Sequence, residues 1–249
     1  MDKKQQGIEW KIGISIIVVL ISIVLITKRF VYFRPNSIMF AVDETYKVLK
    51  QSHLHGLISD PSCIDKVVLI CNSNKGNLTH SSEIMKNMNA LGYRVCTFDY
   101  SGFGKSGGIP SEQRLYDDAS YMVAFLRQTY QPDQIIVYGH GLGCIVATYV
   151  ARRYSIPTVI LVSPFPSIAS ILTNPLKYVQ FFFQDFKILD YLQGYNGRSL
   201  LIHSKNDEII SYNSITNLIQ YVTNHIPTVG SHQMTEVPWE SVRRFIEEK

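Results

Sequence analysis

Long blocks of one charge are missing from this sequence. No run of lysine or arginine exceeds two residues, and the net charge is only +4 over 249 residues. That excludes the basic stripe by which nucleic-acid binders follow a phosphate backbone, so no nucleic-acid partner is expected. Cysteine is scarce too. The four cysteines, Cys63, Cys71, Cys96 and Cys144, have no C-x-x-C spacing, and three of them lie in apolar runs where a small thiol packs as a hydrophobe. They read as free thiols. His53, His55, His80, His140 and His225 share no metal-ligand spacing either, so neither a metal nor a cofactor is expected. Internal repeats and low-complexity tracts are also absent, which removes solenoids. What remains, at 46% hydrophobic and 18% charged residues, is a chain suited to one sizeable buried core.

The first strong positive feature is the uncharged run Ile12 to Thr27, IGISIIVVLISIVLIT, bracketed by Lys11 and by Lys28, Arg29 and Arg34. As a helix its roughly 16 residues reach about 24 Å, short of the ~30 Å hydrocarbon core of a bilayer. Snorkelling Lys11 and Lys28, with Trp10 and Tyr32 at the interfaces, make up the difference. Thr27-Lys28-Arg29-Phe30 offers no small-x-small cleavage site, which argues against a signal peptide. The expectation is a single-pass membrane anchor over 12–29, after an N-terminal tail (1–11) and before a linker (30–45), with the bilayer as its partner. Lysine and arginine are balanced on the two flanks and leave the orientation open.

Beyond the linker, β-branched runs alternate with helical segments. Tyr46 to Leu49 and His53 to Ser59 predict an opening hairpin. Lys66 to Cys71, Tyr93 to Asp99, Gln134 to Tyr138, Thr158 to Val162 and Ser199 to His203 predict strands. His80 to Leu91, Ser111 to Tyr130 and Trp239 to Glu248 predict helices. On the long middle helix, Tyr116, Ala119, Met122, Val123 and Leu126 share one face. This alternation argues for an α/β fold with a mostly parallel sheet covered on both faces, in one domain over 46–249. Ligands of such sheets gather beyond the carboxyl ends of the strands.

At those ends, the strand Gln134 to Tyr138 runs into Gly139-His140-Gly141-Leu142-Gly143 and then a helical segment. Strand, sharp turn and helix form the setting of the nucleophile elbow G-x-S-x-G, whose flanking glycines let strand and helix nearly touch. Both flanks are present here, but the central residue is Gly141, which has no side chain with which to attack. Further on, Asp207 follows the strand ending at His203, and His232 lies in the Gly230-Ser231-His232-Gln233 loop before the last helix. A histidine held by a carboxylate is the arrangement that takes a proton from a nucleophile, and the order elbow, Asp, His is that of a hydrolytic triad.

With these residues in view, the chain from about Tyr46 onward resembles the α/β-hydrolase superfamily. It closely resembles the membrane-anchored "alpha/beta hydrolase domain-containing" branch, which includes acyl-protein thioesterase-like members. The resemblance is carried by the elbow, by His55-Gly56-Leu57-Ile58, by the Asp207 and His232 loops, and by Phe98-Asp99-Tyr100-Ser101-Gly102-Phe103-Gly104-Lys105-Ser106, which is similar to the family segment D-Y-R-G-Y-G-K-S. The resemblance implies a catalytic serine where Gly141 stands, with Asp207 and His232 as its partners. It also implies an H-G-N oxyanion turn where the sequence reads Asn72-Ser73-Asn74. By position, the oxyanion N–H groups are those of Asn74 and Leu142.

Three substitutes for the missing serine suggest themselves: Cys144, Ser163, or a water activated by His232. The segment 163–196 would form the cap. Its Phe165, Phe181, Phe182, Phe183, Phe186, Tyr191 and Tyr195 read as an acyl groove, as a face lying on the bilayer that holds the anchor, or as the closure of the core. Asn77-Leu78-Thr79 is a glycosylation sequon only in a lumenal setting. The function expected is that of a membrane-anchored α/β-hydrolase-like protein without its serine, impaired in catalysis and acting through an acyl or lipid ligand or a protein partner. The alternative is an active hydrolase of ester or thioester bonds in membrane-associated acyl substrates.

Overall fold

The computed structural model describes residues 10–19, 22–23, 26, 32–37, 46–59, 65–172, 177–178, 186–232 and 236–248. Eight strands form one sheet: β1 (Tyr46–Gln51), β2 (Leu54–Ser59), β3 (Val67–Cys71), β4 (Arg94–Phe98), β5 (Ile135–His140), β6 (Thr158–Val162), β7 (Arg198–Ser204) and β8 (Asn224–Thr228). Their spatial order is β1-β2-β4-β3-β5-β6-β7-β8. β1 pairs antiparallel with β2, and β2 antiparallel with β4, while every pairing from β4 to β8 is parallel.

The central strands explain this arrangement. β3 reads VVLIC and is buried throughout. Its alternate side chains feed two cores, Val67, Leu69 and Cys71 on one face of the sheet and Val68 and Ile70 on the other. A strand apolar on both faces is stable only between two covering layers. The first layer holds α2 (Glu112–Leu126) and α3 (Gly143–Arg153), and the opposite layer holds α1 (Ser82–Ala90) and α4 (Trp239–Glu247). α2 begins where the Ser111 side chain accepts from the Arg114 N–H at 3.2 Å, a cap that contributes about 1 kcal/mol. It buries Leu115, Tyr116, Ala119, Met122, Val123 and Leu126, the i, i+3, i+4 face expected of it.

The sequence misses β8. Its residues, Asn-His-Ile-Pro-Thr, are half-buried or exposed, and Pro227 is tolerated because β8 lies at the sheet edge, where a missing N–H breaks no ladder.

Among the described residues no helix is long and apolar enough to cross a membrane. The span expected at 12–29 is described as helix only within 10–19 and at 22–23 and 26, and the rest of it lies outside the described residues. A single-pass span is therefore not supported by the helices described. Trp10, Ile12, Ile16, Ile17, Val18 and Val19 are each more than half exposed, so the body of the protein does not cover them.

Residues 32–37, which the sequence places in a linker, dock on the domain. Tyr32 and Phe33 are buried, edge-on to Phe186, with Phe33 also edge-on to Phe103. Arg34–Pro35 then lies parallel to Lys75–Gly76.

Candidate active site

The site is assembled at the carboxyl ends of β3, β5, β7 and β8. After β5 the chain turns at Gly141, with φ at +55°. The turn is held by the Gly141 N–H donating to the Val162 carbonyl at 3.0 Å and by the Cys144 N–H donating to the Gly141 carbonyl at 3.1 Å. The flanking glycines are obligatory. A Cβ at Gly139 would lie 2.5 Å from the Cys144 Cα, and one at Gly143 would overlap the carbonyl oxygen of Cys71. The tight strand-to-helix crossing of an elbow is thus intact. At Gly141 itself, among the described residues, a Cβ would meet only the Ser73 side chain, with Oγ at 2.8 Å and Cβ at 3.6 Å. Leu142 lies at the N-terminal end of α3, where helical N–H groups have no partner within the helix and favour negative charge.

The contact expected between Asp207 and His232 is formed. His232 Nδ1–H donates to Asp207 Oδ2 at 2.9 Å, and the Asp207 side chain is fully buried. Asp207 Oδ1 accepts the N–H groups of Ile209 and Ile210 at 2.9 and 2.7 Å. Burial pushes the Asp207 carboxyl up, but the His232 ring and the two backbone N–H groups outweigh it and hold it below its ordinary value. A carboxylate that stays charged accepts from Nδ1–H and so fixes the tautomer in which Nε2 carries the lone pair.

The histidine is further positioned by Glu208, whose Oε2 accepts the His232 N–H at 3.0 Å. It also stacks on His140, with ring centroids 6.0 Å apart and planes 25° apart. Because His140 adjoins Gly141, this stacking brings His232 to the elbow. Burial, with the His232 ring as second cause, pushes His140 down to about 4, so it is neutral at pH 7. His203, buried at the end of β7, donates Nε2–H to the Ile210 carbonyl at 2.9 Å and braces the Asp207 loop. The sequence reading missed His140, His203 and Glu208 as parts of the site. Proximity to Gly141 and Asp207 in the chain was the available signal.

The turn after β3 is held from both sides. Asn72 points inward, donating to Thr97 Oγ1 at 3.0 Å and the Phe98 carbonyl at 2.8 Å while accepting from Ser81. The Asn74 carbonyl accepts the Arg34 N–H at 2.8 Å, so the docked segment 32–37 steadies the turn. Ser73 and Asn74 between these ties are half-buried.

Two of the expected substitute nucleophiles are poorly placed. Cys144 Sγ is buried and directed at the Gly139 and Val162 carbonyls, each at 3.2 Å. Burial pushes its thiol well above its ordinary value, which makes it inert. Ser163 is fully buried at the end of β6. Asn77, in the sequon, is buried, donates to the Asn36 carbonyl at 3.0 Å and caps the turn that follows by accepting the Thr79 N–H at 3.0 Å. In the expected cap segment, Phe165 and Phe186 are buried in the core and Tyr195 donates to the Ile156 carbonyl at 2.8 Å. These residues close the core, whereas Phe181, Phe182 and Phe183, like Cys63 near the domain start, lie outside the described residues. Among the described residues no group of three His, Cys, Asp or Glu side chains is placed to hold a metal ion.

A second cluster of the same residue types lies away from the elbow. His53 Nε2 is 2.9 Å from Ser101 Oγ and 3.2 Å from Asp118 Oδ1, and Ser101 Oγ donates to Asp118 Oδ1 at 3.0 Å. Here one imidazole nitrogen serves both partners. No relay from carboxylate through the ring to the hydroxyl is possible, so the cluster ties the hairpin turn to β4 and α2.

Comparison with known proteins places this geometry. Residues 62–190, just over half of the chain, match the family model described as serine aminopeptidase, S33. The lysophosphatidylserine lipase ABHD12 of Danio rerio is 27% identical over 70% of this chain and 52% of its own length. The human alpha/beta hydrolase domain-containing protein 17B is 32% identical over 47% of this chain and 41% of its own. The chain thus spans about half the length, or less, of these curated relatives. Among solved structures, the Pyrococcus furiosus esterase Pf2001 superposes with a TM-score of 0.71 at 19% identity, covering 87% of this chain and 97% of that one. An α/β hydrolase from Vibrio vulnificus superposes with a TM-score of 0.65 at 20% identity, covering 76% and 75%. At these identities the structures speak for the fold alone.

Proposed function

Because the chain belongs to the serine aminopeptidase S33 family of α/β hydrolases, we propose that it is a membrane-anchored member in which hydrolysis is impaired and the retained site holds an acyl or lipid group. One observation carries this reading. The Asp207–His232 pair is assembled at 2.9 Å beside an elbow whose central residue is glycine at φ +55°. An enzyme that has lost its nucleophile but kept its base retains only a small part of the family's rate, because the serine and histidine act as a unit. Asn74 and Leu142 are the oxyanion donors in this reading. Anchoring is supported by the apolar run 12–27 and by the exposure of its described side chains.

The test is hydrolysis of short and long p-nitrophenyl acyl esters by the full chain in detergent micelles, with binding of a non-hydrolysable long-chain acyl ether measured in parallel. Acyl binding with little turnover supports the reading. Turnover typical of enzymes, about 10 s⁻¹, would favour a second reading, an active hydrolase of ester or thioester bonds. The observation behind that second reading is the fully buried Asp207 side chain still oriented on His232. Sedimentation with liposomes that survives carbonate at high pH tests the anchor, and full release would refute it.

A further inference from the structure

Between the two altered turns a hydroxyl has been kept, on the other side of the site. Relative to the family pattern, the elbow has exchanged serine for glycine at 141 and the oxyanion turn has exchanged glycine for serine at 73. The structure shows that these positions face each other. Ser73 Oγ lies 2.8 Å from where a Cβ of residue 141 would begin, so it occupies the space into which a side chain at the elbow would project.

Three further observations bear on this hydroxyl. Ser73 is half-buried between two anchored neighbours, Asn72 through its side-chain bonds to Thr97 and Phe98 and Asn74 through its carbonyl bond to Arg34. Its own Oγ donates to Asn74 Oδ1 at 3.3 Å, a long bond for a hydroxyl and one exchanged at little cost. The base stands at the same strand end, since His232 stacks on His140, the residue before Gly141.

We propose that Ser73 is the nucleophile of this site and that the acyl group is held on it covalently. The proposal rests on the reading that an acyl ester or thioester enters here. Ser73 Oγ adds to the acyl carbonyl carbon as its proton passes to Nε2 of His232. The C–O or C–S bond to the leaving group then breaks, and the departing alcohol or thiol takes that proton. The carbonyl oxygen, negative in between, faces the N–H of Leu142 at the start of α3. The acyl ester on Ser73 persists until a water, giving a proton to His232, adds to the acyl carbon; the bond from that carbon to Ser73 Oγ then breaks, Oγ takes the proton back and the carboxylic acid leaves. Ser73 lies outside the strained elbow, so both steps are slow compared with an elbow serine, which accords with an impaired enzyme that retains its ligand.

The test treats the full chain in detergent micelles with a fluorophosphonate probe and maps the adduct by peptide mass. The expected result is one adduct on the peptide carrying Ser73. It should be absent in Ser73→Gly and Ser73→Ala, and form about 10²-fold or more slowly in His232→Ala, in line with general-base assistance. The double variant Ser73→Gly with Gly141→Ser, checked for native circular dichroism, should move the adduct to residue 141. No adduct on the natural chain, or an adduct elsewhere that survives Ser73→Gly, overturns the proposal whether or not the double variant labels. The acyl-ether binding measured alongside separates the two failures. Binding without an adduct leaves the site reading standing and removes only Ser73, whereas loss of both removes the reading as well.

Discussion

The loops after β7 and β8 and the turns after β3 and β5 face each other across the strand ends, and they differ in what they have kept. On the first side, Asp207 and His232 keep a 2.9 Å hydrogen bond, a buried carboxylate and bracing from His203 and Glu208. On the second, the backbone of the elbow is kept, with Gly139 and Gly143 where no Cβ fits, but the side chains that perform the family's chemistry are changed. The difference separates two kinds of constraint. The elbow glycines are fixed by packing, because strand and helix touch there whatever the chemistry. A buried carboxylate oriented on a histidine gives the core no such packing, and the proposed role of the site rests on this pair.

The comparison sharpens most if a serine is restored and the base then removed. In a Gly141→Ser background, His232→Ala should lower p-nitrophenyl ester hydrolysis by about 10²- to 10⁴-fold. A loss under threefold would mean that His232 is not the base. Next in size is the packing side. Gly143→Ala places a methyl into the Cys71 carbonyl, and about 3 kcal/mol or more of stability should be lost, as for other overpacked sites. Chemical denaturation measures it, and an unchanged midpoint would show that the elbow is looser than described.

Asp207→Asn probes both sides. The folded carboxyl lies below its ordinary value of 3.8, so its contribution is full above that pH and disappears as the pH falls through the folded value. The variant should be less stable by about 1–3 kcal/mol at pH 7, and its deficit should vanish in acid. A deficit independent of pH would contradict the charged pair.

The smallest effect belongs to the second Ser, His and Asp cluster. Burial raises the Asp118 carboxyl against the pull of Ser101 and His53, and His53→Ala should cost about 1 kcal/mol, a melting shift of roughly 2–4 °C. Ester hydrolysis in the Gly141→Ser background should stay within twofold. A larger loss of rate would give that cluster a chemical role.

The fold and half of the site were legible in the sequence because the signals there are local. VVLIC reads as a buried strand, GHGLG carries its own close approach, and Asp207 and His232 follow strand ends in triad order. The parts that escaped depend on contacts between distant segments. β8 carries a proline and no alternation, and only its place at the sheet edge makes it a strand. Residues 32–37 read as a linker because nothing in Tyr-Phe-Arg-Pro announces that it will pack on Phe103 and Phe186. The apolar run at 12–27 is plain in the sequence, whereas the structure describes too little of it as helix to cross a membrane. In the sequence Ser73 is only a departure from the H-G-N turn that the resemblance implies. Its meaning changes only when the elbow is seen opposite, since the exchange of glycine and serine joins two motifs far apart in the chain.

The Asp207–His232 half of the site is intact, and the elbow beside it carries no side chain at 141. The most direct test is the initial rate of p-nitrophenyl butyrate hydrolysis by the natural chain and by Gly141→Ser, both in full length. The positive φ at 141 costs a serine about 1–3 kcal/mol of strain, and Ser73 Oγ rotates aside. The account predicts a gain of about 10²-fold or more in Gly141→Ser with the fold unchanged. A folded Gly141→Ser variant no faster than the natural chain would show that the pair of Asp207 and His232 is not poised for catalysis, and would contradict the account.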